Sequence, residues 1–402
     1  MTMFSALSHR NFRLFWYGQC ISMIGSWMQN VGQAWLILQL TNSPFLLGLI
    51  TTLQTLPIMI LSLFAGVYID RFPKRNLVIL TQTGLMILAF LLSFITLSGI
   101  AKYWHVAVLA TLLGLLNTID NPARQALLID LVGKDDLLNA IALNSSAFNL
   151  ARIIGPAVAG ILIGYLGIGL CFLINGLSFV VVIIVLLRID VKGEVRSMTD
   201  GASFKRDMAE GIRYVAKTPR IYVAMLLMFL ISTFAMNFNI LVPVFIKIDL
   251  GMNASRYGFL MAAMGGGALA GALTLAQSAK KGARMRVLFL GAFWFSIFEG
   301  ILGFASGLGT SMIFIALTGF FMIIFSATCN TTVQVNSEDN VRGRVMSVYN
   351  LVYNGVAPIG SMYAGTLSEN LGAGWTFVIS GVIGVISCLI AYIAANKRKV
   401  SI

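Results

Sequence analysis

Gly66-Val67-Tyr68-Ile69-Asp70-Arg71-Phe72-Pro73-Lys74-Arg75 is the stretch on which the fold turns. One acid and three bases stand where two long apolar runs, 44–69 and 77–99, meet. A helix that crosses a bilayer needs about 20 mostly apolar residues, and both runs satisfy this. The ten residues therefore read as a tight loop at a membrane surface. Gly66 permits close helix approach, and Asp70 can cap or pair near a neighbouring helix terminus. Arg71, Lys74 and Arg75 hold such a loop on the cytoplasmic side.

Working outward, the same reading repeats along the chain. Apolar runs at 12–40, 104–127, 139–166 and 169–189 complete six spans, and 221–247, 255–279, 286–306, 309–334, 343–368 and 373–395 supply six more. In lipid every backbone amide must be bonded internally, so these runs are helices. Composition agrees. Of 402 residues, 58% are hydrophobic and only 11% charged, and mean hydropathy is +0.87. A soluble domain carries about a quarter charged residues. Cys20, Cys171, Cys329 and Cys388 lie in apolar stretches without metal or disulfide spacing and read as small buried hydrophobes. Met1 to Arg13 shows no cleavable signal pattern, so the first apolar run is expected to be retained.

The net charge of +13 is a topology signal. Loops on one side hold 24 of the 28 basic residues; the other side holds Lys102, Lys247 and Arg256, and Arg152 lies inside a span. Positive loops stay inside, which places both termini in the cytoplasm. With charge explained in this way, a nucleic-acid partner is not expected. The longest polar connection, 190–220, contains Phe204, Met208, Ile212 and Val215 at helical spacing. It reads as a cytoplasmic linker with an amphipathic helix between two six-helix bundles, 1–189 and 221–402. The bundles echo one another. Ile154-Gly155-Pro156-Ala157-Val158-Ala159-Gly160 returns 205 residues later as Ile359-Gly360-Ser361-Met362-Tyr363-Ala364-Gly365, and Asn117-Thr118 corresponds to Asn330-Thr331.

The loop at 66–75 resembles the glycine-x3-aspartate-arginine-x2-basic-basic motif of the major facilitator superfamily, with Pro73 where many members have glycine. The stretch Asn149 to Pro156 is similar to the glycine-proline motif of its exporters. Gln33-Ala34-Trp35 with Leu40-Thr41-Asn42-Ser43-Pro44 resembles the first-span exit of its drug and siderophore efflux branch. The resemblance implies an all-α integral membrane protein with about twelve spanning helices in two pseudo-symmetric bundles. It also implies a plasma-membrane location in a prokaryote, no cofactor, a monomer, and a proton-driven exporter of small amphipathic molecules. Gly66, Asp70, Arg71, Lys74 and Arg75 would then form a conformational latch. The fourth span lacks the arginine-x2-glutamine-glycine motif of many proton-coupled antiporters.

Spans one, four, seven and ten line the cavity in that family. Ser22, Ser26, Gln29 and Gln33 share one face of span one. Asn117 and Asn121, Asn237, and Asn330 and Gln334 are the corresponding candidates on spans four, seven and ten. Polar groups avoid lipid, so they turn to a pathway or to another helix. Three charges are candidates for coupling or gating: Asp120 with Arg124 one turn later, Arg152, and Glu299. Gly155, Pro156, Gly160, Gly360 and Gly365 are expected at helix-packing contacts. A lipid flippase or an uptake carrier would use the same fold. A membrane-embedded enzyme or a sensor is the rival from another class. The chain has only His9 and His105, and it shows no metal spacing, phosphate loop or nucleophile elbow.

Overall fold

The computed structural model describes residues 4–69, 72–189, 204–277, 284–338 and 341–400, and every regular element among them is helical. The first six helices are α1 (Arg10–Thr41), α2 (Pro44–Ile69), α3 (Lys74–Leu97), α4 (Tyr103–Val132), α5 (Leu137–Leu166) and α6 (Ile168–Arg188). Then come α7 (Phe204–Lys217), α8 (Pro219–Phe234), α9 (Phe238–Val244) with a π-helical turn at Phe245–Asp249, α10 (Ala254–Gln277), α11 (Met285–Leu302), α12 (Leu308–Val335), α13 (Arg342–Asn354) and α14 (Ala357–Lys397). Ten segments among the described residues are long and apolar enough to cross a membrane. The last of these, Arg342–Lys397, holds two spans, because Gly372 interrupts α14 with a φ of +83°. The polar α1 is the twelfth, 32 residues long.

The chain divides into two compact units, one of residues 1–42 and 53–200, the other of 43–52 and 201–402. In the first, α1 packs against α5 and α6, and α3 against α4 and α6. In the second, α8 packs against α14, and α11 against α12 and α14. The internal repeat is visible in two details. A Cβ on Gly155 would lie 2.5 Å from Trp27 Cβ, and one on Gly360 would lie 2.6 Å from the Thr233 carbonyl oxygen. Glycine at this repeat position thus lets the fifth helix of each unit touch the first. Likewise Gly167 (φ +86°, ψ 165°) joins α5 to α6, and Gly372 (φ +83°, ψ 160°), 205 residues later, joins the two arms of α14. A positive φ with extended ψ is costly for any residue with a Cβ, so both turns need glycine.

Local sequence sets the other ends. Asn42 closes α1 in the left-handed conformation (φ 50°, ψ 20°), its N–H donating to the Leu38 carbonyl at 3.0 Å. Ser43 accepts from the Leu46 N–H at 3.2 Å, and Pro44 opens α2. This opening turn of α2 packs in the second unit. There Glu369 on α14 accepts from Ser43 Oγ at 2.8 Å and from the Phe45 N–H at 3.0 Å. Thr52 donates to the Pro358 carbonyl at 3.1 Å, and a Cβ on Gly365 would lie 2.9 Å from the Pro44 carbonyl oxygen.

The amphipathic pattern in the linker does form a helix, α7. It docks on α13 rather than lying alone: Glu210 pairs with Arg344 at 2.8 Å, and a Cβ on Gly211 would meet the Arg344 carbonyl oxygen at 2.9 Å. Tyr214 donates to the Asn336 carbonyl at 3.5 Å and accepts from the Glu338 N–H at 3.2 Å.

Candidate functional site

The polar face of α1 is largely engaged with its neighbours. Gln29, buried, accepts from Asn175 Nδ2 of α6 at 2.7 Å. Gln33, also buried, donates to Gln54 Oε1 of α2 at 2.9 Å. Ser22 is buried, and Ser26 half-buried. Asn175 and Gln54 were not singled out from the sequence. Each is a lone amide in an apolar helix, and that solitude was the available signal, since an amide in a span is costly without a partner.

Elsewhere in the two units polar residues stay open. On α4, Asn117 is half-buried, and Asn121 and Gln125 are exposed at successive steps of four. On α12, Asn330 is half-buried and accepts from the exposed Gln334, again four residues on. The fourth helix of each unit therefore presents an amide stripe, from mid-length onward on α4 and in the last two turns of α12.

The charged candidates separate by environment. Asp120 is fully buried in the first unit and heavily engaged. Thr81 Oγ1 and Gln82 Nε2 donate to one of its oxygens at 2.6 and 2.9 Å, and Arg124 pairs with the other at 2.8 Å. Arg124 also donates to Asn121 at 2.9 Å. Arg152 is half-buried on α5. Glu299 on α11 is the opposite of Asp120: its side chain is fully buried, and neither oxygen has a hydrogen-bond partner among the described residues.

Of the loop motif, Asp70 and Arg71 lie outside the described residues, and Gly66 is in the last turns of α2. Lys74 is buried at the start of α3. Arg75 donates to the Leu186 and Leu187 carbonyls at 2.6 and 3.0 Å, satisfying the otherwise orphaned end of α6. Gly155, Pro156 and Gly160 lie buried on α5. Gly360 and Gly365 lie buried on α14.

The sequence reads span seven as continuous from 221 to 247, but the helix is broken. Helix α8 ends at Phe234 and α9 starts at Phe238, with Ala235, Met236 and Asn237 between them. Asn237 is buried and donates to the Thr233 carbonyl at 2.9 Å, replacing part of the interrupted ladder. Gly360 fits against this break, within 2.6 Å of both Asn237 Oδ1 and the Thr233 oxygen when a Cβ is built on it. Tyr363, three residues further along α14, sets its ring edge-on to Phe234, 5.2 Å between centroids. Irregular backbone at membrane depth is tolerated where it is buried in protein or lines a cavity, and broken helices of this kind form binding sites in secondary transporters.

The profile of the family described as transmembrane secretion effector matches residues 1–400. The chain belongs to that family, within the major facilitator superfamily. Transmembrane secretion effectors of this superfamily are secondary transporters, not enzymes, and this chain is a multi-pass integral membrane protein. Among similar proteins is the staphyloferrin A transporter of Staphylococcus aureus, 25% identical over 395 residues, covering 97% of this chain and 98% of that one. The multidrug efflux pump Tap of Mycolicibacterium fortuitum is 23% identical over 387 residues, covering 94% of each. The fold of this secretion effector matches a bacterial homolog of the human lysosomal transporter Spinster with a TM-score of 0.78 at 13% identity, covering 96% of each chain.

Proposed function

We propose that this protein exports a small amphipathic organic molecule, of drug-like or siderophore-like character, by alternating access driven by the proton gradient. The observation that carries the proposal is the pair of open amide stripes, Asn117, Asn121 and Gln125 on α4 and Asn330 and Gln334 on α12. Uncharged amides in an otherwise apolar surface suit a ligand with scattered polar atoms and large apolar faces. The charge beside them, Arg124 next to Asn121, is already paired with Asp120. Met236 and Phe234 at the break in span seven add an adaptable apolar wall.

Relatedness to a siderophore transporter and to a multidrug efflux pump supports the same substrate class. The basic loops support cytoplasmic termini in a bacterial inner membrane. The close glycine contacts within each unit support each moving as a rigid body. On this reading the protein works as a monomer, and Arg152 and the 66–75 loop act in gating.

The test is accumulation in cells lacking their main efflux pumps, expressing wild type or Asn121→Ala with Gln334→Ala. Dyes, antibiotics, siderophores and lysolipids are compared with and without an uncoupler. Lower retention of one class by wild type, abolished by the uncoupler and by the double substitution at equal expression, supports the proposal. Retention unchanged across the panel in cells with abundant protein in the membrane would count against export.

A further inference from the structure

Glu299 stands apart from every other acid in the described structure. It is wholly inaccessible, and both carboxyl oxygens lack a hydrogen-bond partner among the described residues. Its helix packs closely against the second arm of α14 around Ser296 and Gly300, and a cavity of about 330 Å³ opens one turn beyond Glu299, between Gly303 and Gly374. A Cβ on Gly381 would fall 2.6 Å from the Ser296 carbonyl oxygen, and one on Gly303 would meet that of Gly374. One turn before Glu299, Phe295 meets Phe238 of α9 with ring centroids 6.1 Å apart, and Phe377 of α14 is another 6.1 Å from Phe238. Such walls hold the neutral acid readily and hold the anion only when water or a donor reaches it.

The groups that bear on this carboxyl are few. Helix α12 has no Asp, Glu, Lys, Arg or His, and α9 has none. The π-helical turn after α9 carries Lys247 and Asp249, whose carboxylate accepts from the Gly374 N–H at 2.6 Å beside Gly303. Helix α11 itself carries Arg286 in its first turn. On α8 the charged residue is Arg220 in the first turn. On α14 the charged residues are Glu369, which holds the start of α2, and Lys397 at the last turn. Tyr392 stands level with Phe289, towards the start of α11. The Tyr363 phenol reaches this neighbourhood through Ser380, 3.4 Å from its oxygen and next in the chain to Gly381, which packs on Ser296 and Gly300 either side of Glu299. Tyr363 in turn touches Phe234 at the end of α8, where span seven breaks.

We infer that Glu299 is the proton-carrying site of the transport cycle, and that the break at Ala235–Asn237 controls its access to water through Phe234 and Tyr363. This deepens the proposed function and rests on its proton-coupled reading. The step is a simple exchange. A proton from water on one side converts the carboxylate to the acid, and its return to water on the other side restores the anion. No other bond forms or breaks. Tyr363 is a positioning residue, which links the Phe234 end of α8 to Ser380 beside the α11 contact. Asp120, by contrast, is met by two donors and an arginine.

The experiment is infrared difference spectroscopy on the purified protein during pH titration, paired with dicyclohexylcarbodiimide labelling read by mass spectrometry. The expected result is a protonated-carboxyl band at neutral pH that disappears on alkalinisation and is missing in Glu299→Gln. A carbodiimide adduct at Glu299 should grow as pH falls, and Tyr363→Phe should move the midpoint of both signals. Glu299→Gln keeps the neutral form and the shape, so thermal stability equal to wild type controls for folding. A carboxyl that never titrates across the range in which the protein stays folded would make Glu299 a structural acid and overturn the inference. If wild-type export from the panel above is uncoupler-sensitive in that case, only the inference falls. If wild-type export is insensitive to uncoupler, the coupling reading falls and takes the inference with it.

Discussion

Asn237 donates its side-chain amide to the Thr233 carbonyl at 2.9 Å, so the residue that opens α9 also closes the last turn of α8. The break in span seven is thereby held by one side chain, and Gly360 gives it room. Gly360→Ala should push a methyl to within 2.6 Å of two oxygens and cost about 1–3 kcal/mol, the usual range for overpacking. The repeat-related Gly155→Ala, 2.5 Å from Trp27 Cβ, should cost a similar amount. Melting curves in detergent check the stability loss. Transport per folded molecule should fall further for Gly360→Ala, because only that site abuts a break.

Asp120 and Arg124 form a buried clamp, with side chains 0% and 21% exposed. Removing one partner of a buried pair typically costs about 3–5 kcal/mol. Asp120→Ala should therefore sharply reduce the amount of folded protein. The double substitution with Arg124→Ala should lose less than the sum of the two single ones. Thermal stability of the three variants measures this. Uncoupler sensitivity should survive in whatever Asp120→Asn protein folds, which separates a clamp from a coupling site.

Glu369 receives two donors at the start of α2, Ser43 Oγ and the Phe45 N–H. Hydrogen bonds to a charged group contribute about 1.5–3 kcal/mol each. Glu369→Ala should free the first turn of α2 from α14. A cysteine at the buried Leu47 position should then react faster with a maleimide than it does in the parent protein. Unchanged reactivity would mean that Thr52 and the glycine contacts suffice.

At the head of α5, Asp136 accepts from Ser5 Oγ at 2.5 Å and faces His9 Nε2 at 2.8 Å, strapping the residues before α1 onto the first unit. These hydrogen bonds, Ser5 first and His9 second, lower its carboxyl below the ordinary value. A depressed acid stabilises the strap above the unfolded-state pKa, and the effect is lost as pH falls through the folded one. Amide protection at residues 5–9, measured relative to the intrinsic exchange rate at each pH, should be high at neutral pH and fall only in acid. Asp136→Asn should show low protection there at every pH.

The twelve spans and α7 were legible because bilayer thickness and helical period write themselves into hydropathy. The stretch 204–215 shows this for α7, even though its docking on Arg344 needed the fold. The break at Ala235-Met236-Asn237 was not legible. It has no glycine or proline of its own, and the residue that permits it, Gly360, is more than a hundred positions away. The partners of Gln29 and Gln33 were hidden for the same reason. A helical face tells which side chains point together, but not which neighbour they meet. Glu299 was visible as a charge in a span; that nothing bonds it could only come from its surroundings.

The single-glycine elbows at Gly167 and Gly372 have a mechanical consequence. With one residue between them, two spans cannot slide past one another, and any change in their angle must be absorbed by that glycine. A transporter built this way has fewer moving parts than its span count suggests. It should also reject inserted epitopes or protease sites at both elbows, while longer connections in the same chain accept them. Evolution can vary the cargo by repainting helix faces, but the elbows leave little freedom to change the stroke.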